Sequence, residues 1–353
     1  MQEADKITKF KAEISTTLGE DSLIENELMK NHITWRVGGA ADLFLIIKRE
    51  EDLISAVVLA RKYGIEHFIL GGGANILVGD NGYRGLVIKN QVESLVVLNE
   101  NSIQDWQDHF TGIAKHVAVH FNYYNNSKDP SFGAKEVFVE VSSGYSMPHF
   151  LRDLGKYNLT GLEWFARIPG TLGGWIYNNV HGQSKFIGDF IYSVKVLKES
   201  GNIVEIKWEE LEFGYDYSVF HKNKDIILSA KMRLYHGNIE LSKEVMREVI
   251  INKNAHQAAN SAGCVFHNIS AEDKIKNGFE SDSIGYIFDK KLGLLGQHKV
   301  GGAWISSKHG NFIETDGSAT AKDILSVMEF MKITCREKYN IELQDEIFRI
   351  GEF

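Results

Sequence analysis

Two hydrophobic periods alternate along this chain, and the switches between them mark out its elements. Residues 1 to about 30 are polar with an apolar stripe at Leu18, Leu23, Ile24 and Leu28, which predicts a helical lead-in. Residues 42–47 form a short apolar strand, and residues 49–63 carry Leu53, Ile54, Val57, Val58 and Ala60 at helical spacing, with Gly64 placed as a C-cap. Residues 65–70 are again strand-like, and strand, helix and strand in succession predict parallel pairing through a right-handed crossover. Further strands are expected at 85–88, 94–98, 137–141, 192–198, 203–207 and 225–234. Helices are expected at 147–156, 238–254, 283–291 and 320–338, the last with Cys335 on its core face near Met328 and Met331.

The strand at 65–70 runs directly into Gly71-Gly72-Gly73-Ala74-Asn75. Backbone without Cβ atoms can approach a ligand closely and turn its N–H groups toward an anion, so this stretch is a phosphate cradle or a tight turn between strands. It is neither a P-loop, which needs Gly-Lys-Ser/Thr, nor a dinucleotide fingerprint, which needs a glycine where Ile76 stands. Its place at the carboxyl end of a strand favours the cradle. A second run, Ile168-Pro169-Gly170-Thr171-Leu172-Gly173-Gly174, leads toward a possible helix start, and two such turns suit one long ligand with two ends.

Composition narrows the function classes. The 353 residues suffice for two or three domains, no apolar run is long enough to cross a bilayer, and the first residues lack the apolar centre of a secretory signal. A cytoplasmic protein is expected. A net charge of −8 without a Lys/Arg stripe argues against nucleic-acid binding. Two cysteines, Cys264 and Cys335, build neither a disulfide framework nor a four-thiolate zinc site.

Five motifs in order carry a specific likeness: Thr34-Trp35-Arg36-Val37-Gly38-Gly39, Gly71 to Asn75, Ile168 to Gly174, Ser261-Ala262-Gly263-Cys264-Val265-Phe266, and Lys308-His309-Gly310-Asn311-Phe312-Ile313. Together they resemble the UDP-N-acetylenolpyruvoylglucosamine reductases. The resemblance implies an α+β fold: a two-subdomain FAD-binding module of the vanillyl-alcohol-oxidase type, at 31–90 and 91–237 with an insertion near 99–136, followed by a substrate-binding domain at 238–353. It implies reduction of FAD by NADPH and of a UDP-sugar enolpyruvyl ether by the flavin, giving UDP-N-acetylmuramate for peptidoglycan.

The implied FAD contacts are Arg36, Gly38, Leu70, Gly71, Gly72, Gly73, Asn75, Ile76, Ile168, Pro169, Gly170, Thr171, Gly173, Gly174 and Asn178. Cys264 takes the place of the family's proton donor, as a thiol of pKa near ~8.5 that gives up its proton readily. Glu346, in Leu343-Gln344-Asp345-Glu346-Ile347, takes the place of the carboxylate that steadies the enolate, while Tyr215 and Asn268 are the implied substrate contacts.

Three departures qualify the likeness. Gly214-Tyr215-Asp216-Tyr217-Ser218 carries an acid where the family pattern has an arginine, and a carboxylate beside an enolate repels it. Arg167 is the expected compensating cation, the third catalytic candidate with Cys264 and Glu346. Asn178-Asn179-Val180-His181-Gly182 replaces an expected Asn-x-Gly-Ala-Tyr-Gly, leaving His181 without an assigned role. The insertion, with Trp106, Phe110, Phe121, Tyr123 and Tyr124, is a lid, a partner surface or an ornament. An FAD-dependent oxidase of another sugar, or a flavin-binding protein without turnover, are the competing readings; a positioned carbon acid, which an oxidase does not need, favours the reductase.

Overall fold

The computed structural model describes residues 3–98, 129–183, 185–258 and 260–353, so most of the expected insertion lies outside the described residues. Helix α1 (Glu3–Leu18) ends at Gly19, whose φ of +105° turns the chain, and β1 (Leu23–Leu28) follows. The lead-in is therefore half helix and half strand. The correction has a tertiary cause: β1 is an exposed edge strand whose ladder partner is β2 (Ala40–Ile47), pairing Leu23 with Leu45 and Leu28 with Ala40.

Helix α2 (Glu50–Tyr63) closes on Gly64 in the left-handed conformation, as its position predicts. Then come β3 (His67–Leu70), β4 (Ile76–Val78) and β5 (Tyr83–Asn90). Strands β2 and β3 are both parallel to β5, which lies between them in the order β1-β2-β5-β3. The parallel reading holds, but the two predicted partners are not neighbours. Alternation along β2 sends Leu43, Leu45 and Ile47 toward Phe10 and Ile14 of α1 and Leu53 and Val57 of α2, and Phe44 to the opposite core.

A second sheet is antiparallel throughout. It is built from β6 (Leu95–Val97), β7 (Lys135–Ser142), then, after α3 (Met147–Leu154), α4 (Leu172–Tyr177) and a small hairpin of β8 (His181–Gly182) and β9 (Lys185–Phe186), β10 (Ile191–Leu197), β11 (Ile203–Lys207) and β12 (Ile226–His236). The order is β11-β10-β12-β7-β6, and its core takes in Phe150 of α3, Trp175 of α4 and Val245 and Val249 of α5 (Ile239–His256).

The remaining chain forms α6 (Ala271–Lys276), α7 (Ile284–Tyr286), a hairpin of β13 (Ala303–Ile305) and β14 (Ile313–Thr315), α8 (Ala321–Tyr339) and β15 (Phe348–Ile350). It does not stand apart. Trp35, Phe44, Leu77 and Val87 share one core with Phe266, Ile313, Val327, Met331 and Cys335. Asp80 accepts hydrogen bonds from the first N–H groups of α8, and β15 runs parallel beside β4. No helix among the described residues is long and apolar enough to cross a membrane.

Trp35 pins the halves together, its indole N–H donating to the Ile313 carbonyl at 2.8 Å and its own carbonyl accepting from Thr315 Oγ1 at 3.0 Å. Trp35→Phe leaves a buried carbonyl unpartnered and opens a gap in the shared core. A loss of ~2–4 kcal/mol, read as a lower urea midpoint at unchanged slope, is expected.

Candidate active site

The two glycine runs meet. A Cβ on Gly72 would lie 2.6 Å from the Gly170 Cα, and one on Gly71 would lie 2.4 Å from Thr171 Oγ1, so only glycine allows the backbones this close. Gly73 turns with φ of +63°, its carbonyl accepting from the Thr34 N–H at 3.0 Å, which docks the Thr34-Trp35-Arg36 loop on the run. Thr171 caps α4 through the Gly174 N–H, and Gly38 packs so tightly on Val78 that a Cβ would reach 2.7 Å. On β5, Lys89 stands opposite Leu70, one residue before the glycines, and its Nζ lies 3.0 Å from His32 Nδ1. Burial lowers the Lys89 ammonium.

The chemical end is set by a short ladder between two loop segments. Glu346 N–H donates to the Val265 carbonyl at 2.9 Å and His267 N–H to the Gln344 carbonyl at 3.0 Å, fixing Cys264 and Glu346 in register. The buried Asn311 amide holds the first segment on both sides, accepting from the Phe266 N–H at 3.1 Å and donating to the Phe266 carbonyl at 2.7 Å. The second segment is tied to the first glycine run, because Asn75 Nδ2 donates to the Glu346 carbonyl at 3.1 Å.

Asp216 sits at the tip of the Gly214–Tyr217 turn with φ of +49°, a conformation that aspartate tolerates better than most residues. His181 Nδ1 lies 3.7 Å from its Oδ1 and His267 Nδ1 3.3 Å from its Oδ2, the latter a charge contact rather than a well-aimed hydrogen bond. Burial alone would raise this carboxyl; the two imidazoles outweigh it and hold it below its ordinary value. Glu346 goes the other way. Burial, then the Asp216 charge, pushes it up to about 8, so it keeps its proton at neutral pH. Burial and then the Glu346 charge push the Cys264 thiol far above its ordinary range, correcting the expectation of a thiol that ionises readily.

Both ends open on one cleft of about 1230 Å³, larger than a single small ligand needs. Of the residues the sequence singled out, Arg36, Gly72, Asn75, Arg167, Ile168, Pro169, Asn178, Tyr215, Cys264 and Glu346 line it. Gly38, Leu70, Gly71, Gly73, Ile76, Gly170, Thr171, Gly173 and Gly174 do not line it, and of these Gly71, Gly170 and Thr171 build the contact between the runs. Arg167 does not pair with Asp216: its Nε donates to Asn254 of α5 at 2.8 Å. Asn268 is exposed and faces away, and His267 takes the inward position. Neither His267, His181, Lys89 nor His32 carried a local signal, since each gains meaning only from a distant strand or turn.

Two family models match the chain: the C-terminal domain of UDP-N-acetylenolpyruvoylglucosamine reductase over residues 253–350, and an FAD binding domain over residues 115–207. Over 337 residues the chain is 31% identical to the UDP-N-acetylenolpyruvoylglucosamine reductase of Caldanaerobacter subterraneus subsp. tengcongensis, covering 95% of this chain and 96% of that one. The chain belongs to the UDP-N-acetylenolpyruvoylglucosamine reductase family. The reductase of Clostridioides difficile is 30% identical over 95% of each chain. The solved reductase of Thermus caldophilus superposes with a TM-score of 0.66 at 26% identity, over 92% of this chain and 98% of that one. The α+β reading, an FAD-binding module with a C-terminal domain, therefore holds, and this member of the reductase family is an FAD-dependent oxidoreductase.

Two outcomes follow from the geometry. Gly72→Ala must force the runs apart, and the purified variant should carry less than about a tenth of the wild-type flavin, read as the ratio of flavin to protein absorbance. For Glu346, the unfolded chain releases the proton near ~4.3 and the folded protein near about 8, so the wild type loses stability as pH rises between them. Glu346→Gln removes that loss. Its melting temperature relative to wild type should rise from pH 5 to pH 8 and then level off, an effect on the order of a few kcal/mol.

Proposed function

We propose that the protein catalyses NADPH-dependent reduction of UDP-N-acetylglucosamine enolpyruvate to UDP-N-acetylmuramate, a step in making peptidoglycan precursors. The observation that carries this reading is the pairing of a protonated thiol with a protonated carboxyl at one end of a cleft whose other end is a side-chain-free clamp. The clamp suits a pyrophosphate, because the exposed Gly72 backbone lines the cleft and carries no side chain between the two runs. Its backbone groups, with the Lys89 ammonium beside them, would hold FAD. When bound, FAD accepts hydride from NADPH and delivers it to the β-carbon of the enol ether.

The protein's own groups complete the reaction. The α-carbon takes a proton from Cys264 Sγ; a carbon with enolate character is a far stronger base than a thiolate, so even a thiol raised by burial can donate to it. Its high pKa ensures that the acid is loaded. Glu346, holding its own proton, can donate an O–H to the substrate carboxylate where an ionised glutamate would repel it. The Asn311 and Asn75 hydrogen bonds keep both acids in place without touching substrate.

The test is anaerobic and stepwise: NADPH should bleach the bound flavin, and the enolpyruvyl UDP-sugar should restore its colour. Bleaching by a sugar alone would mean an oxidase, and a flavin unresponsive to either would mean a binding protein. Cys264→Ala should still bleach with NADPH but recover at least ~100-fold more slowly with the UDP-sugar. Failure of both halves would assign Cys264 to folding instead.

A further inference from the structure

The cleft receives an acid. A substrate bearing a carboxylate, which takes on more negative charge as the enolate forms, must be met by a cation where water is excluded. Among the described residues, Arg167 is hydrogen-bonded to Asn254 and not to Asp216, and Lys332 pairs with Asp345 at 2.7 Å over the Phe266 ring. What stands there instead is Asp216 with one imidazole at each oxygen, at 3.7 Å for His181 and 3.3 Å for His267.

The turn that carries Asp216 is built to aim it. Asn179 Nδ2 donates to the Gly214 carbonyl at 2.8 Å and Ser218 Oγ to the Tyr177 carbonyl at 2.6 Å, clamping both sides of a tip whose Asp216 is left-handed. His267 belongs to the segment that carries Cys264, and its ligating nitrogen, an Asp216 oxygen and a Glu346 oxygen all lie within 4.8 Å of one another. The imidazole is thus held between the anchoring carboxylate and Glu346.

We propose that Asp216 and His267 act as one unit in place of a fixed cation: the carboxylate holds a protonated imidazole beside Glu346, and this imidazolium receives the substrate carboxylate as the enolate develops. The inference rests on the reductase reading above. His267 is the catalytic group; Asp216 is a positioning residue, with His181 bracing its other oxygen. An opposite charge in contact favours the charged form of each partner. Unlike an arginine, this cation can be titrated away, so reoxidation of the flavin by substrate must slow as pH rises. The groups facing it are Asp216, Glu346, Cys264, Tyr215, His181 and His221. Of these Glu346, pushed up to about 8, also loses its proton as pH rises and must be separated from it.

The experiment uses the flavin-loaded full chain. With nitrogen-15 histidine, two-bond proton–nitrogen spectra from pH 6 to 9, assigned with His267→Gln and His181→Gln, should show His267 doubly protonated at pH 7. Asp216→Asn should lower its midpoint by a pH unit or more. In stopped flow, His267→Gln should slow reoxidation by the enolpyruvyl UDP-sugar about 100-fold, the loss falling on that step. His267→Lys should recover to within about tenfold of wild type and carry activity to higher pH, with Glu346→Gln marking any alkaline fall that belongs to the glutamate. A neutral His267 at pH 7, wild-type reoxidation in His267→Gln, or His267→Lys as slow as His267→Gln with its flavin intact would each overturn the proposal. If the wild-type flavin ignores the UDP-sugar altogether, the reductase reading fails, while the spectra still decide whether the ion pair exists.

Discussion

One side chain joins the two ends of the cleft. Asn75, the residue that closes the first glycine run, donates from its amide to the Glu346 carbonyl and accepts the Phe348 N–H on its own carbonyl, after which β15 continues alongside β4. The backbone that cradles one end of a ligand and the backbone that presents the acid are thereby parts of one small parallel sheet. Their separation is not adjustable by hinge motion between domains, because the shared core of Trp35, Phe44, Phe266 and Met331 lies beneath both. Orientation of a reacting group relative to a bound cofactor is worth several kcal/mol, and here it is provided by main-chain pairing rather than by flexible side chains.

The electrostatics of the chemical end follow from that closeness. Asp216 and Glu346 are carboxyl groups in a partly enclosed space, and two unshielded charges there would repel strongly. The site resolves this by treating them differently: imidazoles hold Asp216 ionised, and burial next to that charge keeps Glu346 neutral. The same Asp216 charge, with that of Glu346, adds to the burial that raises Cys264. Burial first, and then the mutual influence of the carboxyl groups, sets the protonation of both acids of the proposed reaction.

What could be read from the sequence was whatever depends on local spacing. The strand at β2, helix α2 with its glycine cap, and α8 with Cys335 on the inner face all lie where periodicity placed them, because each buries a face defined by its own residues. Strand β1 was missed because its pairing comes from β2, and the strand expected at 85–88 is present as β5, but its place between β2 and β3 was not foreseen because sheet order is a non-local choice. At the site, the glycine runs were visible since their lack of side chains is itself the signal, and their direct contact with one another fits the clamp inferred for them. Asn268 was assigned inward by motif position, but it is exposed and His267 lines the cleft in its stead, a placement set by the bonds of Val265 and His267 to a distant segment.

Asp216 in place of an arginine is intelligible only as part of a set. Alone, a carboxylate in this turn would leave a buried charge without a partner, cost several kcal/mol and oppose the substrate's own charge. With His181 and His267 at its two oxygens, the same carboxylate becomes the anchor of a cation. An imidazolium at His267, three residues after Cys264, would return positive charge to the cleft from that segment instead of from the turn itself. On that proposal positive charge stays in the cleft while its position in the chain moves, and the conflict that a reading residue by residue finds is resolved in the fold.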